Sequence, residues 1–279
     1  MIAVLGGLGA AAAWAGATLC SSRSARLIGA PSVLAWVMIV GLVTVLGPTV
    51  AQGRPPGLNS GAWPWLAVSG AGNVAGLLLS YGALRAGKVG IVAPITSTEG
   101  AIAAVIAVAL GEHLGASSAA VLCLVVAGVV LTARTREETT GDPRRSATLA
   151  GLGALCFGAS IYATGRVSES LPIVWALLPA RVIGVVAVAL PLALSGSLRL
   201  TRRALPLVLA GGLCEVLGFA SYAVGARHGI AVSAVLASQF AAVAVVAAYL
   251  LFAERLDRLQ IAGVAAIAAG IAALSALQA

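Results

Sequence analysis

Charged residues are scarce in this sequence. They make up 9% of its 279 residues, whereas soluble proteins carry about 25%. Aromatic residues reach only 5%, while apolar residues account for 60% and the mean hydropathy is +1.05. A membrane-spanning helix needs about 20 apolar residues, so a chain of this length can form about ten spans. The composition therefore excludes a soluble protein and leaves no room for a separate soluble domain.

Motifs for catalysis and metal binding are missing as well. The sequence has no HExxH, no GxSxG and no ATP-binding loop, and its four cysteines lie far apart. We therefore predict that the protein is not an enzyme and has no cofactor and no metal site. The net charge of +8 comes mainly from short loops, which indicates membrane topology rather than nucleic-acid binding.

Ten apolar segments are separated by charged, glycine-containing or proline-containing breaks. Each segment predicts a transmembrane helix, so the expected fold is an all-α integral membrane protein. The first segment follows no basic stretch and precedes two arginines, which favours a membrane helix over a cleavable signal peptide. The predicted helices cover residues 2–20, 31–51, 62–84, 88–110, 117–133, 147–165, 172–195, 204–226, 230–252 and 259–277.

Basic residues are distributed unevenly between alternate loops. The loops after the odd-numbered helices hold 13 Lys and Arg residues, whereas the opposite side holds 3, namely Arg54, Arg166 and Arg227. Cytoplasmic loops carry the excess of Lys and Arg in membrane proteins. We therefore predict a multi-pass protein of the inner, cytoplasmic membrane, with cytoplasmic odd-numbered loops and both termini outside.

The two halves of the sequence resemble each other. Offsets of 142 or 143 residues align Asn73 with Glu215, Gly76 with Gly218, Arg85 with Arg227, Glu112 with Glu254, Trp14 with Phe157, and Gly41 with Gly184. The sequence thus predicts two five-helix repeats, at 1–133 and 147–279, joined by a cytoplasmic linker at 134–146. Because five is odd, the repeats enter the membrane from opposite sides, an arrangement typical of secondary transporters.

Each half also contains a similar pair of motifs. Residues 96–100 (TSTEG) precede 111–114 (GEHL) in the first half, and residues 238–241 (SQFA) precede 253–256 (AERL) in the second. Together with the ten spans and the inverted repeat, these motifs resemble the EamA-type branch of the drug/metabolite transporter superfamily over essentially the whole chain. The resemblance implies ATP-independent export or uptake of a small metabolite or drug, without naming the solute.

Polar side chains near helix midpoints are the candidates for a transport site. A charge at the bilayer centre costs at least about 2.5 to 3.5 kcal/mol, so it usually faces a cavity or a partner. Asn73, Glu99, Arg181 and Glu215 fall at one depth in four predicted helices. Arg181 offers a fixed cation for a carboxylate or phosphate, and Glu215 or Glu99 binds an amine or carries a coupling proton. The alternative is an internal ion pair that only fixes the helices.

Three aromatic residues, Trp14, Tyr222 and Phe240, are predicted to complete the substrate site, because an aromatic face holds apolar or cationic solutes. Glu112 is predicted to be an interfacial charge. The predicted function is a secondary active transporter with a midplane site, proton-coupled or exchange-driven, acting as a monomer or a homodimer. A lipid-linked flippase and a membrane channel remain alternatives.

Overall fold

A computed structural model describes most of the chain, namely residues 1–55, 58, 61–86, 92, 95–133, 142–240, 242–243, 246 and 258–277. Three features predicted from the sequence lie outside these residues. They are the linker segment 134–141, the motif at 253–256 with Glu254, and most of the ninth helix beyond residue 240.

Helices account for most of the described residues, which contain no strand. This confirms the predicted all-α class, and each predicted segment overlaps one of the described helices. They are α1 (Ile2–Ile28), α2 (Ala30–Gln52), α3 (Ala62–Ala86), α4 (Glu99–Ala109), α5 (Ala116–Ala133), α6 (Pro143–Ser168), α7 (Ile173–Leu194), α8 (Leu205–Ala226), α9 (Ile230–Ala237) and α10 (Arg258–Leu277).

Within the described ranges, six helices are long and apolar enough to cross a membrane, namely α1, α2, α3, α6, α7 and α8. Shorter apolar stretches occur in α4, α5 and α10. Several helix ends differ from the sequence prediction. Turns at 97–98 and 238–239 interrupt the predicted fourth and ninth segments, so α4 begins at Glu99 and α9 ends at Ala237. The first helix continues to Ile28, and α6 already begins at Pro143, because the side chain of Asp142 accepts a hydrogen bond from the Arg145 N–H.

The seventh helix contains an irregular turn. Residues Ile173–Gly184 are α-helical, Val185–Ala189 form a π-helical turn, and Leu190–Leu194 resume the α-helix. Pro191 follows this turn directly. A proline ring crowds the carbonyl four residues earlier and provides no N–H, so the wider turn relieves a contact that a regular helix would not tolerate.

Small residues allow the helices to approach closely. The α1 helix packs along α8, and α3 packs along α6. A Cβ atom added at Gly6 would lie 2.6 Å from the Gly225 nitrogen, and one added at Gly76 would lie 2.6 Å from the Phe157 ring. Such close approach compensates for the weak hydrophobic drive between helices in lipid.

Candidate functional site

A buried ion pair joins α7 to α8. The Arg181 side chain is fully buried, and its Nη1 lies 3.8 Å from Oε1 of Glu215. The same Nη1 lies 3.6 Å from the Met38 sulfur, and the guanidinium carbon lies 5.2 Å from the centre of the Phe219 ring. The ion pair that the sequence offered as one alternative is therefore present, and a cation–π contact supports it.

Two glycines make room for Arg181 and for the neighbouring Met38. A Cβ at Gly41 in α2 would lie 2.8 Å from Cδ of Arg181, and a Cβ at Gly184 in α7 would lie 2.5 Å from Cγ of Met38. Gly41 and Gly184 are the residues that the 143-residue offset aligns. Arg181 thus lies against the glycine of α2, while Met38, its aligned counterpart, lies against the glycine of α7.

One edge of the Arg181 guanidinium has no partner. Neither Nε nor Nη2 has a hydrogen-bond partner within the part of the chain that the structure describes, although both atoms are buried. These two nitrogens form the side-on fork that grips a carboxylate or phosphate through two parallel hydrogen bonds. Leaving buried donors unpaired is costly, so an unpaired fork requires an explanation.

A cavity of about 480 Å³ reaches Glu215 from one end of the bundle. The Glu215 side chain is 18% exposed, whereas the Arg181 side chain behind it has no exposure. Solute in this cavity would therefore meet the carboxylate and not the guanidinium. The walls are mostly apolar and include, among others, Thr18, Ser21, Leu34, Val37, Met38, Leu77, Tyr81, Leu84 and Arg85.

Asn73 and Glu99 are both buried in the helix bundle. Asn73 is 4% exposed, and its Oδ1 has no hydrogen-bond partner among the described residues. Glu99 is 6% exposed and occupies the first turn of α4, where the positive end of the helix dipole favours a carboxylate. In the described residues Arg181 forms an ion pair with Glu215 and none with Glu99.

The three aromatic residues predicted from the sequence form one cluster. The Trp14 ring lies 6.5 Å from Tyr222 and 6.3 Å from Phe240, centre to centre. The Tyr222 hydroxyl donates a 2.9 Å hydrogen bond to the Ile161 carbonyl, so this tyrosine also joins α8 to α6. None of the three lines the 480 Å³ cavity in this conformation.

The sequence prediction missed Phe219. Its ring lies 4.9 Å from Trp14 in an edge-to-face arrangement and also lies under Arg181, so it connects the aromatic cluster to the ion pair. One signal for it was available. Phe219 follows Glu215 by four residues, which places both side chains on the same face of α8.

Glu112 lies at the other end of the bundle from the cavity mouth and closes a contact between the halves. Its carboxylate accepts hydrogen bonds from the N–H groups of Ile230 and Ala231, at 3.2 and 3.1 Å, and so caps the first turn of α9. Burial raises the pKa of the Glu112 carboxyl, while these two hydrogen bonds lower it in part. The predicted interfacial charge is thus a helix cap.

An all-helical chain with apolar spans and a cavity ending at an intramembrane carboxylate has the features of a membrane transporter. The model of the EamA-like transporter family matches residues 1–134. This match confirms, for residues 1–134, the resemblance to EamA-type membrane transporters of the drug/metabolite superfamily that the sequence predicts.

Solved structures share the fold. The comparison gives 29 matching chains, and one of them, a crystal structure of a protein, superposes with a TM-score of 0.82. That match covers 99% of this chain and 96% of the other, at 17% sequence identity, so it concerns the fold alone. No curated protein matches the sequence.

Proposed function

We propose that this protein is a secondary active carrier that moves a small metabolite or drug across the cytoplasmic membrane, coupled to protons or to exchange. The observation that carries the proposal is the cavity that ends at the Glu215 carboxylate. Glu215 is partly exposed to the cavity and partly held by Arg181. It is therefore placed to exchange a proton or a substrate amine without leaving its buried partner.

The carrier has ten membrane spans arranged as two inverted five-helix repeats, with both termini outside. Reciprocal packing supports this arrangement. The contact of α1 with α8 has its repeat-related equivalent in α3 with α6, that of α2 with α8 in α3 with α7, and that of α1 with α9 in α4 with α6. Inverted repeats that exchange conformations open a central site alternately to the two faces.

Individual contacts repeat in the same way. The Gly76 backbone lies against the Phe157 ring, and its counterpart Gly218 lies against Trp14, the counterpart of Phe157. Each repeat therefore inserts the aromatic residue of its first helix against the glycine of the third helix of the other repeat. A twofold relation between inverted repeats produces such paired contacts.

Glu215 and Glu99 are the proposed proton-coupling residues. Substrate binding is assigned to Glu215, Glu99 and Arg181 together with Asn73, Trp14, Tyr222 and Phe240. Arg181 and Phe219 lie beyond Glu215, are 0% and 6% exposed, and block the path past its carboxylate. This blocked path favours a carrier over a channel. A carrier closes one face while the other is open, whereas a conducting channel needs a continuous path.

The test uses proteoliposomes with an imposed pH gradient and a counterflow panel of amino acids, nucleosides, sugars and cationic drugs. Glu215→Gln is expected to abolish gradient-driven uptake, and Glu99→Gln is expected to reduce it. Glu169→Gln is the matched control, since Glu169 is exposed and forms an ion pair with Arg166 outside the cavity. Unchanged gradient-driven flux in both glutamine variants of the buried residues would exclude the proton-carrier role.

A further inference from the structure

The open cavity has a repeat-related counterpart that is closed. Applying the 142- and 143-residue offsets to the cavity residues gives a second set between α6, α7 and α8. In this second set Ser160, Thr164, Ser168, Arg181 and Asn73 take the places of Ala17, Ser21, Ala25, Met38 and Glu215. These five residues are all less than 5% exposed.

Hydroxyl groups seal this closed region. The Ser160 hydroxyl donates a 2.6 Å hydrogen bond to the Ser69 carbonyl, and the hydroxyls of Thr164 and Ser69 lie 2.6 Å apart. These hydrogen bonds join α6 to α3. The open cavity has alanine at the position equivalent to Ser160, so the seal has no exact copy there.

An arginine closes the mouth of the same region. Arg227 donates from Nε to the Ser168 carbonyl at 2.5 Å and from Nη2 to the Leu171 carbonyl at 3.0 Å. Its repeat-related counterpart, Arg85, lines the open cavity instead. One arginine of the pair thus lies at an open mouth, and the other holds the end of α6 over a closed one.

The closed region also contains the unpaired polar atoms described above. Nε and Nη2 of Arg181 and Oδ1 of Asn73 lack hydrogen-bond partners among the described residues, and all three are buried. In the repeat-related cavity they would become accessible when α6 and α3 separate. An unpaired side-on guanidinium edge is the group that binds an oxyanion through two hydrogen bonds.

We infer that the Nε/Nη2 edge of Arg181 binds the oxyanion of a solute, a carboxylate or a phosphate, in a second cavity between α6, α7 and α8 on the opposite membrane face. This inference rests on the proposed carrier function and deepens its site. The two cavities differ in chemistry. The open cavity presents a carboxylate among apolar walls, and the closed cavity presents a guanidinium among hydroxyls.

Cysteine accessibility tests whether the second cavity exists. Thr164→Cys should react with a membrane-impermeant thiol reagent from the outer face, and the aligned Ser21→Cys should react from the cytoplasmic face, with each site read by peptide mass. Ser160→Cys is the second reporter, and Ala10→Cys, at a fully buried position of α1, is the negative control. Arg227→Gln should increase labelling of Thr164→Cys. Labelling of neither Thr164→Cys nor Ser160→Cys, or labelling only from the cytoplasmic face, would overturn the inference.

Protection from labelling tests the oxyanion. Inorganic phosphate is the phosphate probe and benzoate is the carboxylate probe. Benzylamine is the matched control, because it carries an amine in place of the carboxylate. One of the two anions should slow labelling of Thr164→Cys, and benzylamine should not. Arg181→Lys keeps the charge but lacks the fork, so we expect at least about tenfold weaker protection, and Arg181→Gln should abolish it. Equal protection with Arg181, Arg181→Lys and Arg181→Gln, or protection by benzylamine alone, would overturn the assignment of the oxyanion site to Arg181.

The readout separates this inference from the proposed function. Labelling needs no proton gradient, so Glu215→Gln should still show anion protection at Thr164→Cys even where its gradient-driven flux is lost. If flux proves independent of Glu215 while protection still requires Arg181, the proton-coupled carrier mechanism fails and the oxyanion site remains. If flux requires Glu215 but no anion protects, the oxyanion site alone fails.

Discussion

The two proposed repeats share their packing but differ in their buried chemistry. Both place a glycine of the third helix against an aromatic ring of the other repeat. At the positions where the second repeat has Arg181 and Glu215, however, the first repeat has Met38 and Asn73. A nearly symmetric scaffold thus carries an asymmetric site, so the two faces of the membrane would present different groups to the solute.

The largest expected effect comes from removing one charge of the pair. Arg181→Met leaves Glu215, whose side chain is only 18% exposed, without its partner, and breaking a buried ion pair costs about 3 to 5 kcal/mol. The double variant Arg181→Met/Glu215→Asn copies the first repeat and should recover most of that loss. Reversible unfolding in mixed detergent micelles measures both. A single variant no less stable than the double variant would show that Arg181 does not compensate Glu215.

A smaller effect is expected from the shared packing. Gly218→Ala and Gly76→Ala each place a methyl group against an aromatic ring, and overpacking of this kind costs about 1 to 3 kcal/mol. Gly47→Ala is the matched control, since nothing lies within 4 Å of a Cβ there, and alanine should stabilise the helix by up to about 1 kcal/mol. Similar losses at 76 and 218 would support the twofold relation. A loss at only one of them would contradict it.

Much of the fold follows from the sequence because long apolar runs have few structures open to them in a membrane. The helix ends were harder to predict. Residues 21–28 of α1 are rich in Ser and Arg, a composition that predicts a loop, yet the helix continues through them. An arginine or a serine at the membrane surface satisfies its polar group in water while its backbone remains helical, so polarity alone does not end a helix.

The candidate site was predicted only in part, for a related reason. The pairing of Arg181 with Glu215 was one of the expected arrangements, because intramembrane charges usually face a partner. The lateral position of Trp14, away from the cavity, was not predicted. A helix that is apolar on all sides has no periodic pattern that shows which face is turned inward. The sequence therefore predicts how deep a residue lies in the membrane but not how its helix is rotated about its own axis.

A modest effect is expected where the closed and open regions differ in hydroxyl groups. Ser160→Ala copies the alanine of the open cavity and removes the hydrogen bond to Ser69, a loss of about 0.5 to 1.5 kcal/mol. Labelling of Thr164→Cys from the outer face should become faster in this background. Ser195→Ala, at an exposed turn, should change neither stability nor labelling. Slower labelling after Ser160→Ala would mean that the hydroxyl does not hold the region closed.

The smallest expected effect concerns pH and the Glu112 cap on α9. Burial raises the pKa of this carboxyl above its ordinary value of 4.5, and the hydrogen bonds from Ala231 and Ile230 offset only part of that rise, to which the nearby Glu169 adds slightly. A group whose pKa is raised on folding stabilises the folded state fully below its ordinary pKa and loses that contribution as pH rises through the raised value.

The melting temperature of the protein should therefore fall slightly, relative to Glu112→Gln, as the pH rises from about 4 to 7. The difference is expected to be small, because the hydrogen bonds from the α9 amides offset part of the effect of burial. Glutamine keeps one oxygen acceptor for the α9 amides but does not titrate, so it isolates the charge. A wild-type protein that instead gains stability over this range would show that the two amide hydrogen bonds outweigh the cost of burying the carboxylate, and that the contact between the halves depends on a charged Glu112.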